Sequence, residues 1–482
     1  MDARQALGFL MSLMDESAVA LSQMIASKQV KPSEVMEAYL ARLSLVNPAV
    51  NAIVSSKAPD ELMTEAKAMD DLAVGGWLHG IPMAVKDLVS VRGITTTFGS
   101  PIHRDNVPDA DDLVARRLRA AGAIFTGKTN TPEWGHGSHS FNPVFGVTRN
   151  PYDLTRTAGG SSGGAAAALA SHMLPVADGS DMMGSLRNPA AFCNVYGFRP
   201  SWGLVPDDAG GDTFMATMAT DGPMARTVED VARLLETLAG ENPQTPFGRP
   251  RAAYAQHLDI EMRGMRIGWL GDWGGAYPLE PGIEELCASG LAVLEGLGAI
   301  IEPLAPPFPA DELWDSWTRL RGFLNAGAKG ALLADPSTRD LLKPETQWEI
   351  EFGQTITAEQ VYAASVTRSR WYASAAALFE RYDALIMPSA QVWPFPTEWR
   401  WPQSINGRAM DTYHRWMEIV VPVSLIGLPA LAVPCGFGPS GLPMGMQIIG
   451  PNGADAKVLA IGQQYHRATQ WPQKRPPVMA AG

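Results

Sequence analysis

The chain has 482 residues, with 38 Lys+Arg against 50 Asp+Glu for a formal net charge of −12, and 46% of it is apolar. That composition supports a large buried core and lies far from the disordered class. The acidic balance excludes a phosphate-tracking nucleic-acid binder or a partner of anionic membranes, since both need a basic face.

Residues 15–45 carry helical periodicity. Ala18, Leu21, Met24 and Ile25 share one face, Val35, Tyr39 and Leu43 a second, and Pro32-Ser33-Glu34 reads as a helix start. From about residue 80 the short apolar runs IPMAV (81–85), AIFTG (123–127) and LPVAD (174–178) alternate with helix-like segments at 112–121 and 163–173. This alternation predicts strands crossing over through helices in a mixed, mostly parallel sheet. The same grammar returns in MRIGWL (265–270), the helix-like 282–297 and AIIEPL (299–304). The stretch 308–385 is mostly helical by pattern, with Trp314, Trp317 and Trp371 at apolar positions, and the proline- and tryptophan-rich 386–412 reads as a long irregular loop. DALIMP, PALAVP and MGMQIIG read as buried strands and 454–468 as a closing helix. The expected organisation is one large α/β domain over 76–482, preceded by a helical arm over 1–75, with 308–420 as a variable insertion near the substrate.

Cys193, Cys287 and Cys435 lie far apart without metal-ligand spacing, which fits reduced thiols. The amino end lacks a signal-peptide layout, and the most apolar run, 163–177, is shorter than the roughly 20 residues that a spanning helix needs. The expectation is a soluble, cytoplasmic protein.

The most unusual stretch runs from Ala158 to Pro189. Gly159-Gly160-Ser161-Ser162-Gly163-Gly164 sets two hydroxyls among four glycines, just before a helix-forming alanine run. Such a loop brings backbone close to a neighbour and puts free N–H groups at a helix start. It lacks the Lys-Ser/Thr of a phosphate loop. It matches the nucleophile-elbow pattern, but the preceding NPYDLTRTA does not read as a buried strand, and His172, His257, His414 and His466 sit in ordinary-looking segments. No Ser lies three residues before any lysine, which removes the penicillin-binding arrangement, and no zinc motif is present. His136 and His139 could share a metal, although their glycine-rich surroundings argue against it. A serine hydrolase without histidine needs another base, and Lys86, emerging from the apolar run 81–85, is the outstanding candidate.

Read together, GIPMAVKD (80–87), GKTNTPEWG (127–135), FGVTRNPYD (145–153), GGSSGG (159–164), DGSDMMGSLRNPAAFCNVYGFRP (178–200), DGPMARTVEDVA (221–232) and GLPALAVPCGF (427–437) resemble the amidase signature family nearly end to end. The resemblance implies the amidase signature fold and a Ser–cis-Ser–Lys triad: Lys86 as base, Ser161 as bridging serine after a cis Gly160–Ser161 bond, and Ser185 as nucleophile. It further implies an oxyanion hole of the backbone N–H groups of Met182, Met183, Gly184 and Ser185. Asp181 and Arg187 would brace the loop, with Ser162 and Ser180 close behind. Many members have Thr-Gly-Gly-Ser where this chain has Met182-Met183-Gly184-Ser185, and Thr where it has Ser180. A side chain at 183 is tolerable provided that φ is negative there, because the donors are backbone groups. The GSD-x-MGSLRNP loop and YHRWME (413–418) are similar to the branch of 6-aminohexanoate-cyclic-dimer hydrolases.

The implied activity is amide hydrolysis through an acyl-enzyme, without metal or cofactor. Substrates would be apolar aryl or aliphatic amides, linear or cyclic aminohexanoate amides, or carbamates. Met182, Met183 and the tryptophans of 393–416 suggest a roomy apolar pocket. Partners are the amide and water, without nucleic acid or membrane, and a homodimer is the open oligomeric state. The alternative is the amidase subunit of a glutamyl-tRNA amidotransferase.

Overall fold

Near the amino end the structure adds a helix start at Ser17 to the one read at Pro32. The Ser17 hydroxyl accepts from the Ala20 N–H at 3.0 Å and opens α1 (Ala18–Ala26). Pro32 begins α2 (Pro32–Val50), where the Glu34 carboxylate reaches back to the Lys31 N–H at 2.8 Å. In this computed structural model the described residues are 8, 12–208, 210–477 and 479; the rest of the expected arm, 1–7 and 9–11, lies outside them.

After α2 come β1 (Ile53–Val54), α3 (Pro59–Met69), β2 (Pro82–Lys86), α4 (Leu113–Ala120) and β3 (Ile124–Thr129). The strands form a small sheet in the order β1-β3-β2, antiparallel at β1–β3 and parallel at β3–β2. The arm expected to be helical therefore also contributes an edge strand.

The chain continues through α5 (Gly163–Ala170), β4 (Val176–Asp181), α6 (Arg187–Phe192), β5 (Tyr196–Arg199), β6 (Thr220–Ala225), α7 (Val228–Leu238), β7 (Arg266–Trp269), α8 (Ile283–Gly296) and β8 (Ile300–Pro303). Then follow α9 (Ala310–Ala334), α10 (Pro344–Gln354), α11 (Ala358–Phe379), β9 (Ala384–Pro388), β10 (Ala430–Phe437), β11 (Pro443–Ile449) and α12 (Asp455–Thr469). The large sheet has the order β8-β7-β9-β11-β10-β5-β6-β4. It is mixed, as expected, but only β8–β7 and β7–β9 are parallel and the other ladders are antiparallel, correcting the mostly parallel expectation. The connections explain it. β10 and β11 are joined by a tight turn over 438–442, which only an antiparallel pair can use. β10 and β11 read as unbroken apolar runs because helices cover the sheet and bury nearly all of their side chains.

Two features bring the chemistry together. Every residue of α5 is buried, so this glycine- and alanine-rich helix lies inside the molecule. Its start requires glycine, because a Cβ on Gly164 would stand 2.3 Å from the Asn130 nitrogen. The two sheets are also stitched by a side chain: the Lys86 N–H, at the end of β2, donates to the Asp178 carboxylate of β4 at 3.1 and 3.2 Å. Among the described residues, no helix is long and apolar enough to cross a membrane.

The segment 310–379 is a helical layer in which α9 and α10 pack very closely. A Cβ on Gly353 would lie 1.9 Å from the Gly322 carbonyl oxygen. Gly353→Ala should therefore push these helices apart at a cost of about 1–3 kcal/mol. Thermal unfolding checks this: the midpoint should fall, and an unchanged midpoint would show that the helices separate freely.

Candidate active site

The end of β2, the glycine loop before α5 and the loop after β4 converge on one buried amine. Lys86 is fully buried, and its Nζ donates to Ser161 Oγ at 2.7 Å, Ser162 Oγ at 2.9 Å and Ser180 Oγ at 2.9 Å. No carboxylate oxygen comes within 4.0 Å of it among the described residues. Burial pushes its pKa down to about 8, against the weaker opposing pull of Asp221, Asp178 and Asp181. Asp221 stands opposite Ser180 in the β6–β4 register. Its own carboxyl is pushed well above the usual range, first by burial and then by Asp207 and Asp178, which weakens it as a counter-charge.

The Gly160–Ser161 bond is cis. Two serines absent from the sequence-based expectations hold this turn. Ser138 Oγ donates to the Gly160 carbonyl at 2.5 Å, and Ser140 Oγ accepts from the Gly163 N–H at 3.1 Å. Their signal was the Gly/Ser alternation of WGHGSHS, a pattern that fits any turn.

The loop after β4 is held by a buried ion cluster. Both Asp181 oxygens accept from Arg187, each at 3.0 Å, and Oδ1 also accepts from Arg199 at 3.0 Å. Burial alone would raise this carboxyl, yet Arg187 and Arg199 hold it far below the usual carboxylate range. Arg187 extends the brace to Gln447 Oε1 at 2.6 Å and Ser424 Oγ at 2.6 Å. Gln447 and Ser424 lie far away in sequence, without a local motif to mark them, whereas Arg199 falls within the segment 178–200 with nothing to single it out.

Within that loop φ is positive at Gly184 (77°) and not at Met183, so the methionine sits in ordinary backbone. A Cβ on Gly184 would fall 2.1 Å from Asn188 Oδ1, which makes glycine necessary there. The Gly184 N–H donates to Asp181 Oδ1 at 2.9 Å, which corrects its expected place among the oxyanion donors. A carboxylate that must balance two guanidinium groups has drawn this N–H inward. The N–H groups of Met182, Met183 and Ser185 have no acceptor among the described residues.

Ser185 is 8% exposed and opens on a cavity of about 860 Å³ shared with Ser161, Ser180, Met182 and Met183. Its carbonyl accepts from the Ser162 N–H at 3.2 Å. Its Oγ makes no hydrogen bond to the described residues, the bridging Ser161 included. The structure thus bonds Lys86 to Ser161, Ser162 and Ser180, and ties Ser185 to them through its backbone carbonyl and not through its hydroxyl.

The cavity takes Trp134 and His136 from the early loop, Phe323 and Leu324 from α9, and Met417. The tryptophans of 393–416 do not line it: Trp416 packs edge-on against Phe395 in the core, and Trp393 Nε1 bonds to the Pro281 carbonyl. The segment 210–219, unmarked in the sequence, supplies part of the wall, including Met215. His136 and His139 belong to no cluster of metal-ligating side chains among the described residues. His136 contacts Thr346 Oγ1 at 3.0 Å and Asn325 Oδ1 at 3.1 Å, whereas His139 contacts Thr157 Oγ1 at 2.8 Å and the Thr397 carbonyl at 3.1 Å. His414, expected on an ordinary helix face, is buried 3.7 Å from Glu349. Asp181→Asn should destabilise the fold by about 3–5 kcal/mol, since it leaves two buried guanidinium groups short of charge. Denaturant unfolding checks this, and a loss below about 1 kcal/mol would mean that Gln447 and Ser424 suffice.

With this geometry established, comparison with known proteins is direct. Residues 34–459 match the Amidase family. The chain is 33% identical over 481 residues to an acylamidase of Rhodococcus erythropolis, covering 95% of this chain and 97% of that one. It is 35% identical over 497 residues to the A subunit of the glutamyl-tRNA(Gln) amidotransferase of Symbiobacterium thermophilum, covering 97% and 99%. Among solved structures, a bacterial aryl acylamidase superposes with a TM-score of 0.88 at 30% identity, covering 96% of this chain and 99% of that one. The 6-aminohexanoate cyclic dimer hydrolase complexed with substrate does so with 0.86 at 26% identity, covering 97% and 99%. The chain belongs to the amidase signature family and is an enzyme that hydrolyses carbon–nitrogen bonds.

Proposed function

We propose that this enzyme cleaves carboxamides by acyl transfer to Ser185, with Lys86 as the base and Ser161 as the relay. The observation that carries the reading is the buried Lys86 amine, bonded at 2.7 Å to Ser161 Oγ without a carboxylate to hold its proton. Neutral Lys86 takes the Ser161 proton while Ser161 takes that of Ser185, and the Ser185 oxygen forms a bond to the amide carbon. Ser185 Oγ must turn toward Ser161 for this step; catalytic hydrogen bonds commonly tighten only with substrate bound. The open N–H groups of Met182, Met183 and Ser185 are the donors for the oxyanion. Ser161 returns a proton to the leaving amine as the C–N bond breaks, and water then releases the acid. Asp181 and Arg187 brace the loop, while Ser162 and Ser180 orient the Lys86 amine.

The size of the cavity and its methionine, phenylalanine and tryptophan lining support apolar aryl or aliphatic amides, including linear or cyclic aminohexanoate amides, with carbamates chemically close. On this reading the enzyme is cytoplasmic and works without cofactor, as a monomer or homodimer. The similarity to the amidotransferase relatives favours a second reading, in which the chain releases ammonia from glutamine only with partner proteins. The chain purified alone and assayed on an amide panel separates the two.

Ser185→Ala should lower kcat/KM by about four orders of magnitude or more with an unchanged melting curve. Substantial remaining turnover would exclude Ser185 as nucleophile. Because protonated Lys86 cannot accept a proton, log(kcat/KM) should climb with pH and level off above about 8. A profile flat from about pH 6 to 9 would remove Lys86 from the role of base.

A further inference from the structure

Three charged groups in the cavity wall, Arg321, Asp212 and Lys329, are not used by the chemistry above. Arg321, Asn325 and Lys329 lie four residues apart along α9 and all face the cavity. Arg321 is engaged within the protein: Nε donates to Glu349 Oε1 at 2.6 Å, Nη2 to the Tyr413 hydroxyl at 2.9 Å, and Nη1 approaches Met182 Sδ at 3.1 Å. Asp212, the acid among the described lining residues, accepts the N–H groups of Phe214, Met215 and Ala216 in its own turn.

Lys329 differs from both. Its Nζ donates to Asn325 Oδ1 at 3.0 Å and lies 5.8 Å from the centre of the Trp134 ring, both lining groups. No carboxylate oxygen lies within 4.0 Å of it among the described residues. Asn325 cannot turn away, because its Nδ2 donates to Glu349 Oε2 at 3.2 Å and its Oδ1 also meets His136 Nε2 at 3.1 Å. An ammonium has three donors, and one is matched here. The other two have no acceptor among the described residues, on a half-buried side chain that lines the cavity, so they are free to pair with an anion that enters it. Burial also pulls this amine down to about 8, with Arg321 repelling it further and Glu349 and Glu133 pulling back.

We propose that Lys329 is the carboxylate anchor of this cavity, so that preferred substrates are amides carrying a free carboxylate, such as half-amides of dicarboxylic acids or N-acyl amino acids. This role rests on the amidase reading of the same cavity. Two matched pairs test it. Adipic acid mono-4-nitroanilide against hexanoyl-4-nitroanilide carries the carboxylate on the acyl side, and N-hexanoyl-4-aminobenzoate against hexanoylanilide carries it on the amine side. The enzyme should prefer the carboxylate member of one pair by about 10–100-fold in kcat/KM, chiefly through KM, and that pair names the side on which the anchor acts. Lys329→Met and Lys329→Gln should erase the preference, whereas Lys329→Arg should retain part of it. No preference in the wild type, or variants that depress both members equally, would overturn the assignment. Hydrolysis of neither member of either pair by the wild type would instead overturn the amidase reading.

Discussion

A lysine amine held in the protein interior by hydroxyls rather than carboxylates is the constraint on which the rest depends. In water an amine of this kind stays protonated, and a bonded carboxylate would keep it so inside the protein. Here three serine hydroxyls receive Lys86 Nζ, while Asp178 binds the backbone N–H of the same residue instead. The amine therefore has polar partners that satisfy its geometry without pinning its charge. Lys128 offers a contrast within the same sheet. It is equally buried and also pulled down to about 8, but it caps the Val89 carbonyl, away from any hydroxyl pair.

That arrangement needs a rigid frame, which the fold supplies from distant segments. Lys86 ends a strand of the small sheet, and Ser180 is the last residue but one of an edge strand of the large one, so the site lies where the two sheets meet. The Asp181–Arg187–Arg199 cluster then fixes the loop that carries Ser185. Because all three side chains are fully buried, the charges compensate one another strongly and tolerate little displacement. One consequence is local: the Gly184 N–H is committed to Asp181, leaving donors on either side of it facing outward. The substitution of methionines for the small residues common in the family is compatible with this loop, since the positive φ falls on Gly184 alone.

The helical layer plays a different part. A buried polar chain runs from Glu133 through Thr346 to His136 and Asn325, tying the early loop to α10 and α9. It decides which charges in the cavity are already matched and which remain available. Family membership describes the chemistry common to related enzymes, whereas this layer gives the cavity its own character.

Much of the scaffold was legible in one dimension. The apolar runs at 81–85, 123–127 and 265–270, the helix start at Pro32, and the glycine–serine loop all report local physics: burial periodicity, helix initiation and the steric freedom of glycine. The order of motifs carried the family, and it pointed to Lys86 and Ser161, which the structure brings within 2.7 Å of each other. What only the tertiary structure decided were relations between remote segments. They include antiparallel pairing in place of parallel, the meeting of Gln447 and Ser424 around Arg187, and a cavity wall that takes in 210–219 and leaves out the tryptophans of 393–416. Hydrogen bonds and ion pairs act across a few ångströms of space, and chain order does not encode which distant side chains will share that space until the core has packed.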